Sequence, residues 1–337
     1  NAKWNFSETF TWSSPGFDLN DMGYMKETDY LMNETEIMYR QTDIWKIFRY
    51  NAFTLSQKNM WNYGGTPFSN NASLRWQSMT MNRYEWDVKE TFAWNWLDSR
   101  LLRGGPDVRF GSYFLTSAKF NTDKAKRMMF MLKYEGDHNF EGNRFNTISP
   151  SLTFRLGNHV YLSGQLDYAW NTDEMQYVAT TSPLSSSSLA PYYYVMGHMD
   201  QKTYGLTLKL QVNVTPDISI QFYGAPFTSI AKYDDFKLAA DTKSHTFENR
   251  FQRIDPDQLT YADGVYTIGE GAGQMPFRNP DFRFNEFRSN LVARWEYLPG
   301  STLYFVWEHR MSNRDNWYSS GWGSNLDRMW GLPATNT

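Results

Sequence analysis

The residue types that most often carry chemistry are scattered along this chain. Its five histidines occur without the HExxH spacing or any other metal-ligand spacing. Asp18, Asn20 and Asp21 resemble the start of a calcium loop, but their spacing fits no EF-hand and no bidentate glutamate follows in register. We interpret them as a capped turn. The histidines are interpreted as polar side chains of turns and strands: His138, His159, His198, His245 and His309.

Two glycine-rich segments and one carboxylate pair are equally weak indications of a phosphate-binding or catalytic site. The LLRGGP segment at 101–106 lacks the lysine and the Ser/Thr of a P-loop, and the GxGxG run at 269–273 lacks a strand-to-helix context. Asp234 and Asp235 could hydrolyse a glycosidic bond only if they faced each other across a cleft, yet neighbours on a strand point to opposite faces. We therefore predict no catalytic, cofactor-binding or metal-binding residue, and no enzymatic activity.

The composition indicates a β-protein with an unusual distribution of apolar residues. Aromatic residues make up 18% of the 337 residues, yet hydrophobic residues total only 41% and the mean hydropathy is -0.64. A soluble β-protein this aromatic should be more hydrophobic overall, whereas a transmembrane β-barrel combines aromatic belts with a polar lumen. No run of about 18 apolar residues occurs, which excludes a spanning helix. The net charge of -3 gives no basic nucleic-acid footprint, and the absence of cysteine excludes disulfides and thiolate metal sites.

Residues 204–224 have the clearest strand pattern, because apolar and polar residues alternate on both sides of a turn at 215–217. A three-residue turn places Val214 opposite Ile218. Cross-strand partners share a face, so one face of this hairpin is apolar and the other is polar. Asp217 is expected to adopt the left-handed conformation in the turn.

Two other hairpins, around 157–159 and 298–300, show the same agreement of register and polarity. Tyr297 is predicted to face Ser301 across the second of these turns, with Gly300 at positive φ. A one-residue slip would turn the charged residues of this strand toward lipid, at a cost of about 2–4 kcal/mol for an arginine at the midplane.

Thirteen or fourteen strand-like segments, roughly, follow one another along the chain, each near the length of a tilted membrane strand. Short turns and long loops alternate between them, which a Greek-key sandwich would not do. We therefore predict an all-β fold: one antiparallel up-and-down transmembrane β-barrel domain over residues 1–337, with short periplasmic turns, long extracellular loops and a loop insertion at 225–287. A soluble ligand-binding barrel or another closed β-fold is the alternative. The strands are predicted near 3–12, 30–41, 45–57, 71–81, 85–95, 108–120, 127–135, 145–156, 160–170, 192–214, 218–224, 288–297 and 301–311.

The two faces of this wall define the predicted site residues. The apolar face is expected to contact lipid and the polar face to line a lumen, into which the loop at 101–106 could fold. The charges on the polar face could form a ladder that holds the wall together or a constriction that selects solutes. The lumen-facing set is Lys209, Gln211, Asn213, Arg294, Glu296, Glu308 and Arg310. The lipid-facing set is Leu206, Leu208, Leu210, Val212, Ile218, Ile220, Phe222, Trp295, Leu303, Phe305 and Trp307.

Five segments carry a family resemblance: 13–25, LLRGGP at 101–106, 192–227, YDDFK at 233–237 and 279–310. In these segments the chain resembles an uncharacterised outer-membrane β-barrel domain of Bacteroidetes and related bacteria, found C-terminal to a carbohydrate-binding family-9-like domain. That family's N-terminal domain, the barrel strands after it and a last aromatic-rich strand have no counterpart here. We therefore expect the C-terminal part of a larger barrel, and the odd strand count agrees, because single-chain bacterial barrels have even numbers.

The function predicted from these features is non-catalytic. We expect an integral protein of the bacterial outer membrane that acts as a conduit or as a scaffold within a cell-surface complex. The alternative is a glycan-binding or uptake component that acts with the carbohydrate-binding-like domain and uses loop aromatics. Predicted partners are outer-membrane lipids and lipopolysaccharide, other outer-membrane proteins or lipoproteins, and a glycan in the alternative, but no nucleic acid. The candidate loop aromatics are Trp317, Tyr318, Trp322 and Trp330.

Overall fold

A computed structural model describes residues 3–18, 28–94, 96–184, 192–315 and 335–336, and their regular structure is almost entirely β-strand. The prediction of an all-β antiparallel fold is confirmed. Among these residues, no helix has the length and apolar character needed to cross a membrane. The strands are β1 (Trp4–Ser13), β2 (Tyr30–Gln41), β3 (Phe48–Trp61), β4 (Pro67–Thr80), β5 (Glu85–Trp94), β6 (Trp96–Asp98), β7 (Val108–Phe110), β8 (Tyr113–Asn121), β9 (Met128–Asn139), β10 (Arg144–Leu156), β11 (Val160–Thr181), β12 (Tyr193–Asn213), β13 (Ile218–Ala239), β14 (Phe251–Arg253), β15 (Leu259–Ala262), β16 (Val265–Ile268), β17 (Met275–Arg278), β18 (Phe282–Leu298), β19 (Ser301–Asp315) and β20 (Thr335–Asn336). In the same part of the chain, 3-10 helices lie at Phe247–Arg250, Pro256–Gln258 and Gly271–Gly273.

Within the described residues, 15 strands form one antiparallel sheet, which we call the main sheet. Sequence neighbours are neighbours in this sheet, except that the β6–β7 hairpin is inserted between β5 and β8, and β14–β17 lie between β13 and β18. Short turns join the strands at one end, which we call the lower end. At the other, upper end the connections vary in length: those at 62–66 and 140–143 are also short, so the loops predicted between these strands are shorter than expected, and the others are longer. The two ends of the strand order, β1 and β20, do not pair with each other in this part of the chain.

The hairpin after β12 has the predicted register, since the backbone N–H of Val214 donates to the carbonyl of Ile218 at 2.9 Å. Its turn differs from the prediction, because Asp217 is not among the residues with positive φ. Instead, the hydroxyl of Thr215 accepts the backbone N–H groups of Asp217 and Ile218, at 3.2 and 3.0 Å. These bonds close the turn without a left-handed residue.

The turn between β18 and β19 corrects one predicted pair. Ser301 pairs with Leu298 rather than with Tyr297, because the ladder is irregular between Glu296 and Leu298. Gly300 has the expected positive φ, at 82°. The confirmed pairs of the three hairpins are Phe154–Leu162, Leu156–Val160, Leu210–Phe222, Val212–Ile220, Leu291–Trp307, Ala293–Phe305 and Trp295–Leu303.

Several strands differ in length from the prediction. β11 continues to Thr181 and β13 to Ala239, so the loops predicted at 171–191 and 225–287 are shorter than expected. The strand predicted at 108–120 is divided into β7 and β8, and only β8 joins the main sheet. The extended parts of β11 and β13 contain bulges, each of which shifts the alternation of faces by one residue. The alternation of apolar and polar residues is therefore broken in the upper parts of β11 and β13, although the strands themselves continue.

The two faces of the main sheet differ in exposure. Large apolar side chains of one face are open, with Trp4 67%, Leu74 57% and Phe305 59% exposed. Small polar side chains of the other face are buried and bonded to neighbours: Ser73 lies 2.7 Å from the Ser56 hydroxyl. The lower part of the main sheet therefore has no apolar core against either face in the described residues.

Apolar cores occur instead at the upper end. One joins Val195, Met199 and Phe236 to the small sheet β15–β17, and the other joins Leu102, Met196 and Phe251. Met196 and Met199 lie an odd number of residues apart on β12, so the two cores cover opposite faces of this strand. We call this region the cap; it comprises residues 96–110, 240–278 and the upper parts of β11, β12 and β13.

Candidate functional site

The polar residues predicted on β12 share one face of the main sheet. Lys209 and Gln211 are exposed, and with Gln221 of β13 they line an open cleft of about 380 Å³. Asn213 differs, because its side-chain amide donates to the carbonyl of Asn158 at 2.9 Å. Asn213 therefore joins two lower-end turns, while the other two remain accessible to a solute.

Arg294 and Glu296 form an ion pair along β18, with Nη2 2.5 Å from Oε2. The other carboxylate oxygen of Glu296 accepts the backbone N–H of Gly300 at 3.1 Å. An ion pair this exposed adds little to stability, because water and salt screen its two charges. The geometry fits the ladder better than the constriction, because both charges are satisfied within the wall.

The other two charges of the proposed ladder have partners outside the predicted set. Arg310 lies 2.9 Å from Glu286 Oε1, and Arg288 lies 2.8 Å from the same oxygen. Glu308 accepts a hydrogen bond from the side-chain amide of Asn290 at 3.3 Å. Glu286 lies two residues before Arg288, just outside the predicted strand, so extending the alternation by two residues would have identified it.

A second charge cluster occupies the same face in the N-terminal part of the main sheet. Arg75 of β4 donates two hydrogen bonds to Asp87 of β5, at 2.8 and 2.5 Å, and Gln77 donates a third at 3.3 Å. The ion pairs of both clusters join neighbouring strands or residues two positions apart on one strand. Their geometry therefore supports a role in holding the wall together.

The LLRGGP segment forms a structured loop in the cap. Leu102 is fully buried in one cluster with Met196. Gly105 is required here, because a Cβ would lie 2.7 Å from atoms of Leu102 and Tyr194. Met196 shares a face of β12 with Leu206, so the loop packs on the apolar side of the wall and not on the side predicted to line a lumen.

A buried ion pair fastens the cap to the strand ends. The two terminal nitrogens of Arg250, which is 1% exposed, donate to the two carboxylate oxygens of Glu141 at 2.9 and 2.8 Å. The backbone N–H of Gly111 donates to the same carboxylate at 3.0 Å, and a Cβ on Gly111 would lie 2.5 Å from Glu141 Cδ. Arg250 Nε donates to the carbonyl of Ser244 at 2.8 Å, and Nη2 also donates to the carbonyl of His245 at 3.3 Å. No local pattern identifies this pair, because its members are 109 residues apart.

The small sheet β15–β17 covers the opposite side of β12. Ile268 packs in one cluster with Met199, which shares the polar face with Lys209. Asp281, just before β18, accepts the backbone N–H of Tyr233 at 2.7 Å, and burial raises the pKa of its carboxyl group. The polar face is therefore covered at its upper end and open below.

His198 lies among carboxylates in the cap. Its Nδ1 is 3.1 Å from Glu174 and its Nε2 is 3.5 Å from Asp200. Burial opposes the charged imidazole, but the hydrogen bond and charge of Glu174, with the charges of Asp200 and Asp234, raise the pKa of His198. Burial also raises the pKa of Asp173. Among the residues that the structure describes, no group of three or more His, Cys, Asp or Glu side chains could hold a metal ion.

Other residues considered for chemistry have structural positions. Asp235 has a positive φ of 44° and pairs with Lys237 at 3.4 Å, so it does not face Asp234 across a cleft. The glycine run at 269–273 lies between β16 and β17. The remaining candidates fall outside the described residues: Asn20, Asp21, Trp317, Tyr318, Trp322 and Trp330.

An upper-end cleft of about 460 Å³ was not predicted. Asp98 accepts the backbone N–H groups of Arg100 and Leu101 at 2.7 and 3.1 Å, which fixes the loop before LLRGGP. The Trp96 ring stacks on Phe110 with 5.3 Å between centroids. Because distant loops build this cleft, their sequences give no joint signal. Its lining includes Asp29, Asn62, Trp96, Asp98, Arg100 and Asp107.

Comparisons with known proteins give one informative result. Neither the curated proteins nor the solved structures contain a match to this chain. A family model described as a domain of unknown function, DUF5916, matches residues 1–337, the whole chain. The chain therefore belongs to the DUF5916 family of domains of unknown function.

Proposed function

We propose that the chain is a non-catalytic protein of the bacterial outer membrane, in which the main sheet forms the wall of a transmembrane β-barrel. The observation that carries this proposal is the exposed apolar face of the main sheet, where Leu208 is 39%, Trp295 50% and Phe305 59% exposed. In water, each large apolar side chain left exposed forgoes about 1.5–3 kcal/mol of burial free energy. In a bilayer, acyl chains would cover the same face.

The spacing of aromatic residues supports the same orientation. Trp4 and Trp12 are eight residues apart on β1, and Trp86 and Trp94 are eight apart on β5. At about 3.3 Å per residue, each pair spans about 26 Å along its strand. Strand tilt of about 40° reduces this to a height of about 20 Å, comparable with the apolar band between the aromatic girdles of outer-membrane barrels.

The membrane proposal is tested by labelling single cysteines, which is clean because the chain contains none. An environment-sensitive fluorophore on Leu208→Cys should be quenched by brominated lipids in reconstituted vesicles. The matched control is Lys209→Cys, the next residue on the opposite face, which should be quenched several-fold less. Equal quenching at the two positions would contradict the proposed orientation.

Between the two non-catalytic roles, the cap favours a scaffold over an open conduit. The β15–β17 sheet packs over the polar face at the upper end, where it would narrow the mouth of a lumen. Single-channel recordings on the purified protein in planar bilayers test this choice. We expect no steady conductance, and a stable ohmic conductance would instead favour a conduit.

A second candidate function, binding of a surface glycan, is favoured by the upper-end cleft alone. Trp96 provides an aromatic surface next to the amide of Asn62 and the carboxylate of Asp98, a combination suited to a sugar ring. A glycan array probed with the protein and with Trp96→Ala tests this function. Binding that disappears in Trp96→Ala supports it, and absence of binding removes it.

A further inference from the structure

The apolar face of the main sheet carries a group of neighbouring polar side chains in its first four strands. The register sets Glu8, Thr35 and Gln57 side by side in one row across β1–β3. Asn33, Asn59 and Asn70 form the adjacent row across β2–β4. These six residues are called the polar patch: Glu8, Asn33, Thr35, Gln57, Asn59 and Asn70.

The polar patch lies inside the apolar band and not at its margin. Toward the lower end it is bordered by Phe6, Ile37 and Leu55, which occupy one row. Toward the upper end it is bordered by the row of Trp12, Leu31 and Trp61. At similar distances from the lower turns, the strands of the C-terminal part carry apolar residues: Leu152, Leu166, Leu208, Phe222 and Leu291.

The hydrogen-bonding groups of the polar patch are only partly used within the chain. Glu8 accepts the side-chain amide of Asn33 at 2.5 Å and the hydroxyl of Thr35 at 2.8 Å. Within the residues that the structure describes, the side chains of Gln57, Asn59 and Asn70 make no hydrogen bond. In hydrocarbon, each unsatisfied amide would cost several kcal/mol, roughly. The patch is therefore poorly suited to lipid, provided the face lies in the membrane as proposed above.

We infer that the polar patch is the contact surface between two copies of this chain within the membrane. A carboxylate offers about four lone-pair positions, so Glu8 can accept further bonds beyond the two it has. Gln57, Asn59 and Asn70 supply amide donors on the same surface. In a two-fold interface each copy presents the same patch, so the donors of one copy meet the acceptor of the other. The surrounding aromatic and aliphatic rows then pack around these bonds.

Gln57 is central to the patch, and Gln57→Cys places a reporter near the expected two-fold axis. In vesicles of phosphatidylcholine, the full chain carrying Gln57→Cys should form a disulfide-linked dimer on mild oxidation, at least tenfold more than Leu208→Cys. Leu208 is the matched control because it lies on the same apolar face, at similar height, in the C-terminal part. Equal cross-linking at the two positions, or none at Gln57→Cys, overturns the interface.

A second measurement tests dimerisation through the polar patch without an introduced cysteine, whose reactivity alone could produce cross-links. Native mass spectrometry of the detergent-extracted chain should show dimers, and Gln57→Leu combined with Asn59→Leu should lower the dimer fraction about tenfold. An unchanged dimer fraction overturns the assignment of the patch.

Failure of this inference is distinguishable from failure of the membrane proposal. Quenching of the Leu208→Cys label by brominated lipid without cross-linking at Gln57→Cys means that the wall is in the membrane but the patch does not join two copies. Absence of quenching at Leu208→Cys removes the membrane location, and the inference falls with it.

Discussion

β11, β12 and β13 pass through two regions with different surroundings. In the lower region, the apolar side chains of these strands, such as Leu208, remain exposed on one face. In the cap, the same face carries Met196, which is fully buried beneath Leu102 and its neighbours. One set of strands therefore meets an apolar core of its own chain at one end and no such core at the other.

This difference shows that the chain covers the apolar face of the main sheet in the cap but not in the lower region. The cap has the features of a water-soluble protein, with apolar clusters on both faces of β12 and a buried ion pair joined by two hydrogen bonds. The lower region has cross-strand ion pairs on one face and exposed apolar side chains on the other. Since the chain is able to build covering segments, we infer that the lower apolar face is left for another apolar medium.

The largest difference in stability between variants of the two regions should come from the buried ion pair of the cap. Glu141→Gln leaves Arg250 buried without its counter-charge, which should lower the free energy of cap opening by about 3–5 kcal/mol. Hydrogen exchange at residues 101–108 measures this opening. The control is Glu135→Gln, which removes an exposed pair with Lys133 and should cost no more than about 1 kcal/mol. Similar effects of the two variants would contradict the distinction between cap and wall.

The next effect tests the lower region. Leu208→Arg should destabilise the protein in lipid vesicles by about 2–4 kcal/mol, because the charge would lie on the face proposed to contact acyl chains. Thr207→Arg, on the polar face of the same strand, should change the stability by about 0.5 kcal/mol or less. Urea unfolding in vesicles measures both free energies. An equal cost at both positions would mean that the two faces share one environment.

The smallest effect is the pH dependence of the cap. The pKa values of His198 and Asp173 are raised in the folded cap, so both protonated forms are stabilised by folding. Each contribution is complete below the pKa of the unfolded group, about 3.9 for aspartate and about 6.5 for histidine, and is lost as the pH rises through the raised folded pKa. Between pH 5 and pH 8 cap stability should therefore fall as the pH rises. Hydrogen exchange of the cap should show a change of no more than about 1 kcal/mol between pH 5 and pH 8.

The histidine variant His198→Asn sharpens this test. It removes the titration of the imidazole while keeping a polar side chain beside Glu174, so the decline near neutral pH should become shallower. The lower region provides the internal reference, since its exchange should not follow the same dependence on His198. An unchanged pH profile in His198→Asn would assign the dependence to other groups.

Much of the main sheet could be predicted because its information is local. Alternation of side chains fixes which residues share a face, and a short turn fixes the register, as with Leu210 and Phe222. The predictions were less accurate where local rules change. A bulge carrying Asp235 at positive φ shifts the alternation in β13, and Thr215 closes its turn with a hydroxyl instead of a left-handed residue.

The candidate sites depended more on contacts between distant residues. Arg294 and Glu296 lie on one face of β18, yet the partner of Arg310 is Glu286, which lay outside the predicted strand. The cap was not predicted at all. Its ion pair joins residues 109 positions apart, and no periodic pattern reports such a contact.

By itself, the sequence determined an antiparallel meander with one apolar and one polar face, because strand alternation and turn length act over a few residues. Only the tertiary structure decided which parts of these faces the chain covers. It placed Leu102 on the apolar side of β12 and paired Arg250 with Glu141. It also aligned Glu8 with Gln57 in one row across three strands. These contacts depend on the relative positions of strands and loops that are distant in sequence, and such positions are fixed only when the whole sheet has formed.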